Sequence, residues 1–228
     1  MSVGSKIDSS ARIDASAEIG KGVQVGARTS IAAGARLGDA ARIGSDARIG
    51  RDVLVDAGVQ VGDRVVVGDG ARVEPGATIE DGVLIGARAM LTNERHPRAV
   101  TTTGQLAAAG AASDAGIVVR SGSSIGAAAV LTAGSEVGAY ATVGAGAVVT
   151  TSVPGHAFVA GNPAQRLGWV CTCGSPLVDA EGDPAAAEPP QYARHPELTC
   201  PTCGRVFVYV PEPEGLEERG TAKAQRPA

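Results

Sequence analysis

IAAGARLGDAARIGSDARIG, residues 31–50, places a branched aliphatic residue at Ile31, Leu37, Ile43 and Ile49, six positions apart, with glycine directly after three of them. Working outward, the same spacing runs back through Val25, Ile19, Ile13 and Ile7. It runs forward through Val55, Val61, Val67, Val73, Ile79 and Ile85 to Leu91, fifteen consecutive hexads. The residue two before each is mostly small or β-branched, as at Ala11, Ala17, Val23, Thr29, Ala35 and Ala41.

Geometry restricts what a hexad can build. On an α-helix, six steps of about 100° each scatter the aliphatic residues over three directions and leave no buried stripe. On extended backbone six is even, so every member of the series points to one side, together with the small residue two before it. One flat strand cannot be that long, so the ribbon must bend at each hexad, with the recurring glycines as permissive corners. Short strands joined by regular corners stack into an all-β coil with one narrow aliphatic core.

The register breaks after Leu91 and resumes at Val119, Ile125, Leu131, Val137, Val143 and Val149. The offset from 91 to 119 is 28, not a multiple of six, so a loop of roughly 25 residues, 92–117, is expected to be extruded. Long insertions in a solenoid collect on a binding face, which makes this the first place to seek chemistry.

Composition agrees with a turn-rich coil. Glycine is 32 of 228 residues and aromatic residues are 3%, in keeping with an interior too narrow for many rings. The formal charge of −4 gives no electrostatic case for nucleic acid or an anionic membrane. No apolar run approaches a membrane span and the N-terminus MSVGSKIDSS has no signal-peptide core, so a cytoplasmic protein is expected.

The repeat resembles the left-handed parallel β-helix of hexapeptide-repeat acyltransferases. That resemblance implies three hexads per triangular coil, hence about seven coils, and left-handed crossovers. ATIEDGVLIGARAMLTNERHPRA (77–99), SGSSIGAAAVL (121–131) and VVTTSVPGHAFVAGNPAQRLGWV (148–170) are similar to segments of nucleotide-linked 3-amino-sugar N-acetyltransferases. The covered region is about residues 1–170, and a β-helix domain is assigned to 1–168.

Carried over residue by residue, the resemblance implies that Asn93 holds the acceptor amine through its side-chain oxygen. It also implies a homotrimer with acetyl-CoA lying between adjacent prisms. An amine attacks a thioester only when neutral, so it must be oriented and relieved of a proton. His96 titrates in the right range to take that proton, against the alternative that it only packs or hydrogen-bonds the loop while the departing sulfur accepts the proton. Glu80 is read as a partner for the amine side of the sugar, against a solvated corner carboxylate. Arg95 and Arg98 are candidates for a pyrophosphate or sugar carboxylate, Arg120 and Arg166 for the phosphates of the donor. Ala145 and Ala160 sit in stretches resembling those that lie along the pantetheine arm. Two departures, Ala128 where the family usually has Asn and ASDAG where it has a Trp-containing segment, leave acetyl transfer better supported than the sugar. His156 is read as a structural or rim residue.

After Trp169 the repeat ends. Cys171-Thr-Cys173-Gly and Cys200-Pro-Thr-Cys203-Gly form two knuckles like those of zinc ribbons, in a segment with few apolar groups. A structural Zn²⁺ held by Cys171, Cys173, Cys200 and Cys203 in a module at 169–210 is expected. Disulfides, or His195 in place of one thiol, remain open, and residues 211–228 read as a disordered tail.

The leading function is acetyl-CoA-dependent N-acetylation of a nucleotide-linked amino sugar. O-acetylation of a small hydroxyl acceptor and a noncatalytic interaction prism stay as alternatives. A metalloenzyme on the prism would need three converging imidazoles, and the chain's three histidines lie in unrelated segments.

Overall fold

A computed structural model of the chain describes residues 4–95, 97–106, 116–185, 197–211 and 214–221. Within them the chain forms twenty-six strands and no helix. Twenty-one of these, β1 (Lys6–Ile7) to β21 (Val148–Val149), are two residues long, and each carries its hexad aliphatic at the second position. From β1 to β18 each strand pairs in parallel with the strand three further on, Ile7 with Val25 and Val61 with Ile79, so three sheets form the three faces of a prism. Fifteen hexads before the insertion and six after it make seven coils. Val153, bridging Val137, and β22 (Ala157–Gly161), pairing with β20 (Thr142–Val143), add an incomplete eighth.

The core is the inward column. Val25, Ile31, Leu37 and their successors are 0–5% exposed, with Ala35, Ala41, Ala47 and Val53 fully buried between them. Ile7, Ile13 and Ile19 are only partly buried, because no coil lies beneath the first one. Corners obey the same vertical logic. Where glycine follows the hexad aliphatic it can face the backbone of the next coil: a Cβ at Gly86 would stand 2.5 Å from the Ala127 amide nitrogen, so glycine is required there. Asp39, Asp63 and Asp69 accept the corner amides of Lys21, Ser45 and Arg51 from one coil below at 2.7–2.8 Å, which accounts for the recurring aspartates.

The C-terminal part is a lid on the prism's upper end. β22 turns back antiparallel as β23 (Ala164–Trp169), through a cis Asn162–Pro163 bond, and the chain then enters a three-stranded antiparallel sheet. This sheet is formed by β24 (Glu197–Thr199), β25 (Arg205–Pro211) and β26 (Glu214–Thr221). Trp169, Cys171, Leu177, Leu198, Cys200, Phe207 and Leu216 join the prism's own hydrophobic cluster. The module therefore covers aliphatic groups that an open last coil would leave wet, as terminal caps do in solenoids. The expected disordered tail is corrected here: residues 214–221 form β26, whose long antiparallel ladder with β25 and buried Leu216 keep it in place.

Candidate functional site

The prism has a first corner between faces one and two, a second between two and three, and a third between three and one. The insertion leaves from the third. Thr78, in β13 (Thr78–Ile79), pairs with Val118, in β16 (Val118–Val119), an offset of 40 where other coils have 18; the insertion adds 40 − 18 = 22 residues. At its root Asn93 is 7% exposed. Its backbone N–H donates to Glu74 Oε2 at 2.9 Å, from the coil below, while Thr92 N–H donates to Leu131 O in the coil above at 3.0 Å. The Asn93 carboxamide makes no hydrogen bond with any described residue, and no buried side-chain nitrogen or oxygen among the described residues lacks a partner, so the carboxamide reaches solvent.

Arg95 returns to the prism, its Nε donating to Ala133 O at 3.2 Å on the same corner. Arg98 is exposed and donates to the neighbouring Pro97 carbonyl at 2.9 Å. Val100 and Leu106 bridge across a small turn, both exposed. His96 lies outside the described residues, so the expected proton acceptor has no position here.

Glu80 does not join this group. It follows β13 and so stands on the first corner, where Arg120 Nη1 (2.8 Å), Ser121 N–H (3.0 Å) and Ser121 Oγ (2.8 Å) all donate to it. The Arg120 guanidinium, with Ser121, holds its carboxyl below the usual carboxylate range against the opposing effect of burial. Arg120 in turn donates to Glu136 Oε1 at 2.7 Å, so its guanidinium bridges two carboxylates. The separation has a simple origin. Glu80 and Asn93 are two faces apart along the chain, and a triangular coil sends such positions to different corners.

Ala145 and Ala160 both lie at the second corner, where a Cβ on Gly144 would touch Ala160 Cβ at 2.8 Å. Arg166, in β23, is ion-paired with Glu214 and stands 4.7 Å from the Trp169 ring centroid. The four candidate donor residues are thus spread over two corners and the lid.

The first corner carries a group that sequence reasoning left aside. In the incomplete eighth coil His156 takes the corner position directly above Tyr140, and the rings stack with centroids 5.3 Å apart. Phe207 of the lid packs on the other side at 5.0 Å. His156 is 8% exposed, and burial lowers its pKa more than its bond to Val170 raises it. The structural reading of this residue agrees with that packing. A cavity of about 660 Å³ opens beside it, between the corner and β26, lined among others by Arg120, Glu136, Tyr140, His156, Glu214 and Glu217.

In the lid all four cysteine sulfurs lie within 4.8 Å of one another. Cys171–Cys203 and Cys173–Cys200 are 3.5 and 3.6 Å apart, far beyond a disulfide's ~2.05 Å and near the ~3.8 Å edge of a tetrahedral ZnS₄ unit. Gly174 and Gly204 adopt φ of 85° and 72°, and the knuckles close through Gly174 N–H to Cys171 O and Gly204 N–H to Cys200 O. These residues fit a zinc ion. His195 lies outside the described residues.

Glu74, Glu136 and Tyr140 were missed in the sequence. Counting back 18 finds Glu74 from Thr92 and Gly122 from Tyr140, but His156 over Tyr140 depends on the shortened last coil, where Val137 to Val153 spans 16.

Comparison with protein families matches residues 46–81 and 58–93 to the bacterial transferase hexapeptide of six repeats, and residues 16–45 to the hexapeptide repeat of succinyl-transferase. No curated protein matches the chain. Among solved structures it is similar to a hexapeptide transferase family protein from Anaplasma phagocytophilum, at 21% identity and TM-score 0.49, covering 74% of this chain and 81% of that one. It is also similar to a point mutant of AntD, an N-acyltransferase from Bacillus cereus solved in complex with dTDP and coenzyme A, at 16% identity and TM-score 0.48, covering 74% and 85%. PerB from Caulobacter crescentus, solved with CoA and GDP-perosamine, is 24% identical with TM-score 0.29, covering 73% and 58%. Likeness at such identities extends no further than fold.

Proposed function

We propose that this chain, which belongs to the hexapeptide-repeat transferases, is an acetyl-CoA-dependent N-acetyltransferase acting on the amino group of a nucleotide-linked amino sugar. The observation that carries the reading is the root of the insertion. There Asn93 is pinned through its backbone to Glu74, while its carboxamide is left for an outside partner. The side-chain oxygen would accept an N–H from the acceptor amine and turn its lone pair towards the thioester. The new N–C bond forms as the C–S bond breaks; His96 or the departing coenzyme A sulfur takes the amine proton. Arg95 and Arg98, on the same loop root, supply positive charge for the nucleotide phosphates. Ala145 and Ala160 line the second corner as a path for the pantetheine arm, in a cytoplasmic homotrimer whose neighbouring prisms share the donor groove. Arg166 serves the donor phosphates from the lid only by exchanging its pair with Glu214, and Arg120 only by giving up Glu80 or Glu136. In the lid, Cys171, Cys173, Cys200 and Cys203 hold a structural Zn²⁺.

The test is thiol release from acetyl-CoA against UDP- and dTDP-linked amino sugars and their hydroxyl counterparts. Amines should be acetylated, and Asn93→Ala should lower kcat/KM by about 100-fold, the scale of a misplaced reacting group. Turnover confined to hydroxyl acceptors, or an unchanged kcat/KM in Asn93→Ala, would sink it.

A further inference from the structure

The cavity on the first corner has its own polar logic. His156 Nδ1 lies 2.9 Å from the Val170 carbonyl oxygen. A carbonyl only accepts, so Nδ1 carries the hydrogen, and in the neutral ring Nε2 is left as an acceptor. Nε2 makes no hydrogen bond with any described residue, and no buried side-chain nitrogen or oxygen among the described residues is unpartnered, so Nε2 is not fully enclosed, in a residue that lines the cavity. Tyr140 stacks on the imidazole and Phe207 packs against it. A residue only 8% exposed thus brings one acceptor to the wall of an opening of about 660 Å³, a size ordinary for small-molecule sites.

The rest of the wall is acceptor-rich too. Glu136 spends Oε1 on Arg120, and Glu214 spends Oε1 on Arg166 and Tyr209, so each keeps its second oxygen. Glu217, whose Oε2 is ion-paired with Arg219 at 3.7 Å, adds a third carboxylate, while Val153, Pro154, Val210 and Leu216 supply an apolar floor. Three carboxylates and an imidazole acceptor on an apolar floor suit a ligand that is apolar at one end and donates from a cationic group at the other. Neutral hydroxyl compounds would satisfy fewer of these acceptors.

We propose that the first-corner cavity between the prism and β26 is a binding site for a small primary ammonium compound, with His156 Nε2 accepting one of its N–H groups. The site is built jointly by the prism and the cysteine-bearing lid, and stands on a different corner from Asn93, so it does not rest on the acetyl-transfer reading. The probe is 2-phenylethylamine, with 2-phenylethanol as the neutral counterpart. Titrations follow the His156 imidazole signals of the full-length, zinc-loaded chain by NMR, with affinity taken from calorimetry. The amine should shift those signals saturably and bind at least about tenfold more tightly than the alcohol. Glu136→Gln, Glu217→Gln and His156→Phe, each checked for an unchanged circular dichroism spectrum, should each weaken the amine about tenfold or more. Asn93→Ala should leave binding unchanged, which separates this site from the acetyl-transfer site. Equal binding of amine and alcohol would reduce the cavity to an apolar crevice. Silence of the His156 signals at millimolar amine, or full affinity in both Glu136→Gln and His156→Phe, would overturn the proposal.

Discussion

Glu74 accepts the backbone N–H of Asn93 across one coil of the prism, at 2.9 Å. The two residues are 19 apart in sequence, one full turn plus one, so the acceptor comes from the rigid ladder rather than from the loop it anchors. A side chain that must hold a substrate group within a fraction of an ångström benefits from such a mooring.

Glu74 should therefore act as a positioning residue. Glu74→Ala, which leaves the Asn93 amide without its acceptor, is expected to lower kcat about tenfold or more with little change in KM for acetyl-CoA. Glu74→Gln retains an acceptor oxygen and should recover most of the rate. Steady-state kinetics with saturating donor checks this, and equal loss in both variants would contradict it.

The Glu80–Arg120 contact makes a prediction in pH. The folded-state pKa of Glu80 is depressed from its ordinary 4.5, first by Arg120 and also by Ser121. Its contribution is thus present above the unfolded value and is lost as pH falls through the lower, folded value. Glu80→Gln should cost stability at pH 7 and progressively less below about pH 4.5. Urea midpoints of both proteins at pH 7, 5 and 3 measure the difference, and a gap that stays constant across that range would refute the assignment.

Metal removal tests the lid. The chain as purified should carry about one zinc per molecule by elemental analysis. Chelation, or Cys200→Ser, should lower Tm by about 10 °C or more, because the ion holds the cap over the last coil. A chain that is zinc-free and equally stable would remove the metal from the account.

Corner packing gives a stability prediction free of any functional reading. Gly86→Ala sets a methyl 2.5 Å from the Ala127 amide nitrogen, and backbone is the group least able to yield. The cost should be about 1–3 kcal/mol, seen as a lower Tm. Gly22→Ala meets nothing within 4 Å and pays only for its φ of 68°, so its loss should be smaller.

Residues separated by six carried most of the architecture in plain view. Ile31, Leu37, Ile43 and Ile49 all point inward because six is even on extended backbone, and the jump from Leu91 to Val119 marks the insertion in the sequence alone. The four cysteines were legible for a similar reason: their spacing and following glycines are local. Glu80, Arg120 and Asn93 show the opposite case. The resemblance set Glu80 beside the amine that Asn93 would hold and Arg120 with the donor, but the coil sends Glu80 and Arg120 to the first corner and Asn93 to the third.

By itself, then, the sequence determined the period, the inward column, the point of insertion and the thiol set, all properties of near neighbours along the chain or of a strict repeat. Only the tertiary structure decided which side chains share a corner, that Glu74 lies under Asn93, that residues 214–221 form a strand, and that Phe207 closes over His156. Those relations depend on how many residues each turn contains. An insertion of 22 residues and a last coil two residues short reset that count, so adjacency in space no longer follows any fixed interval along the chain.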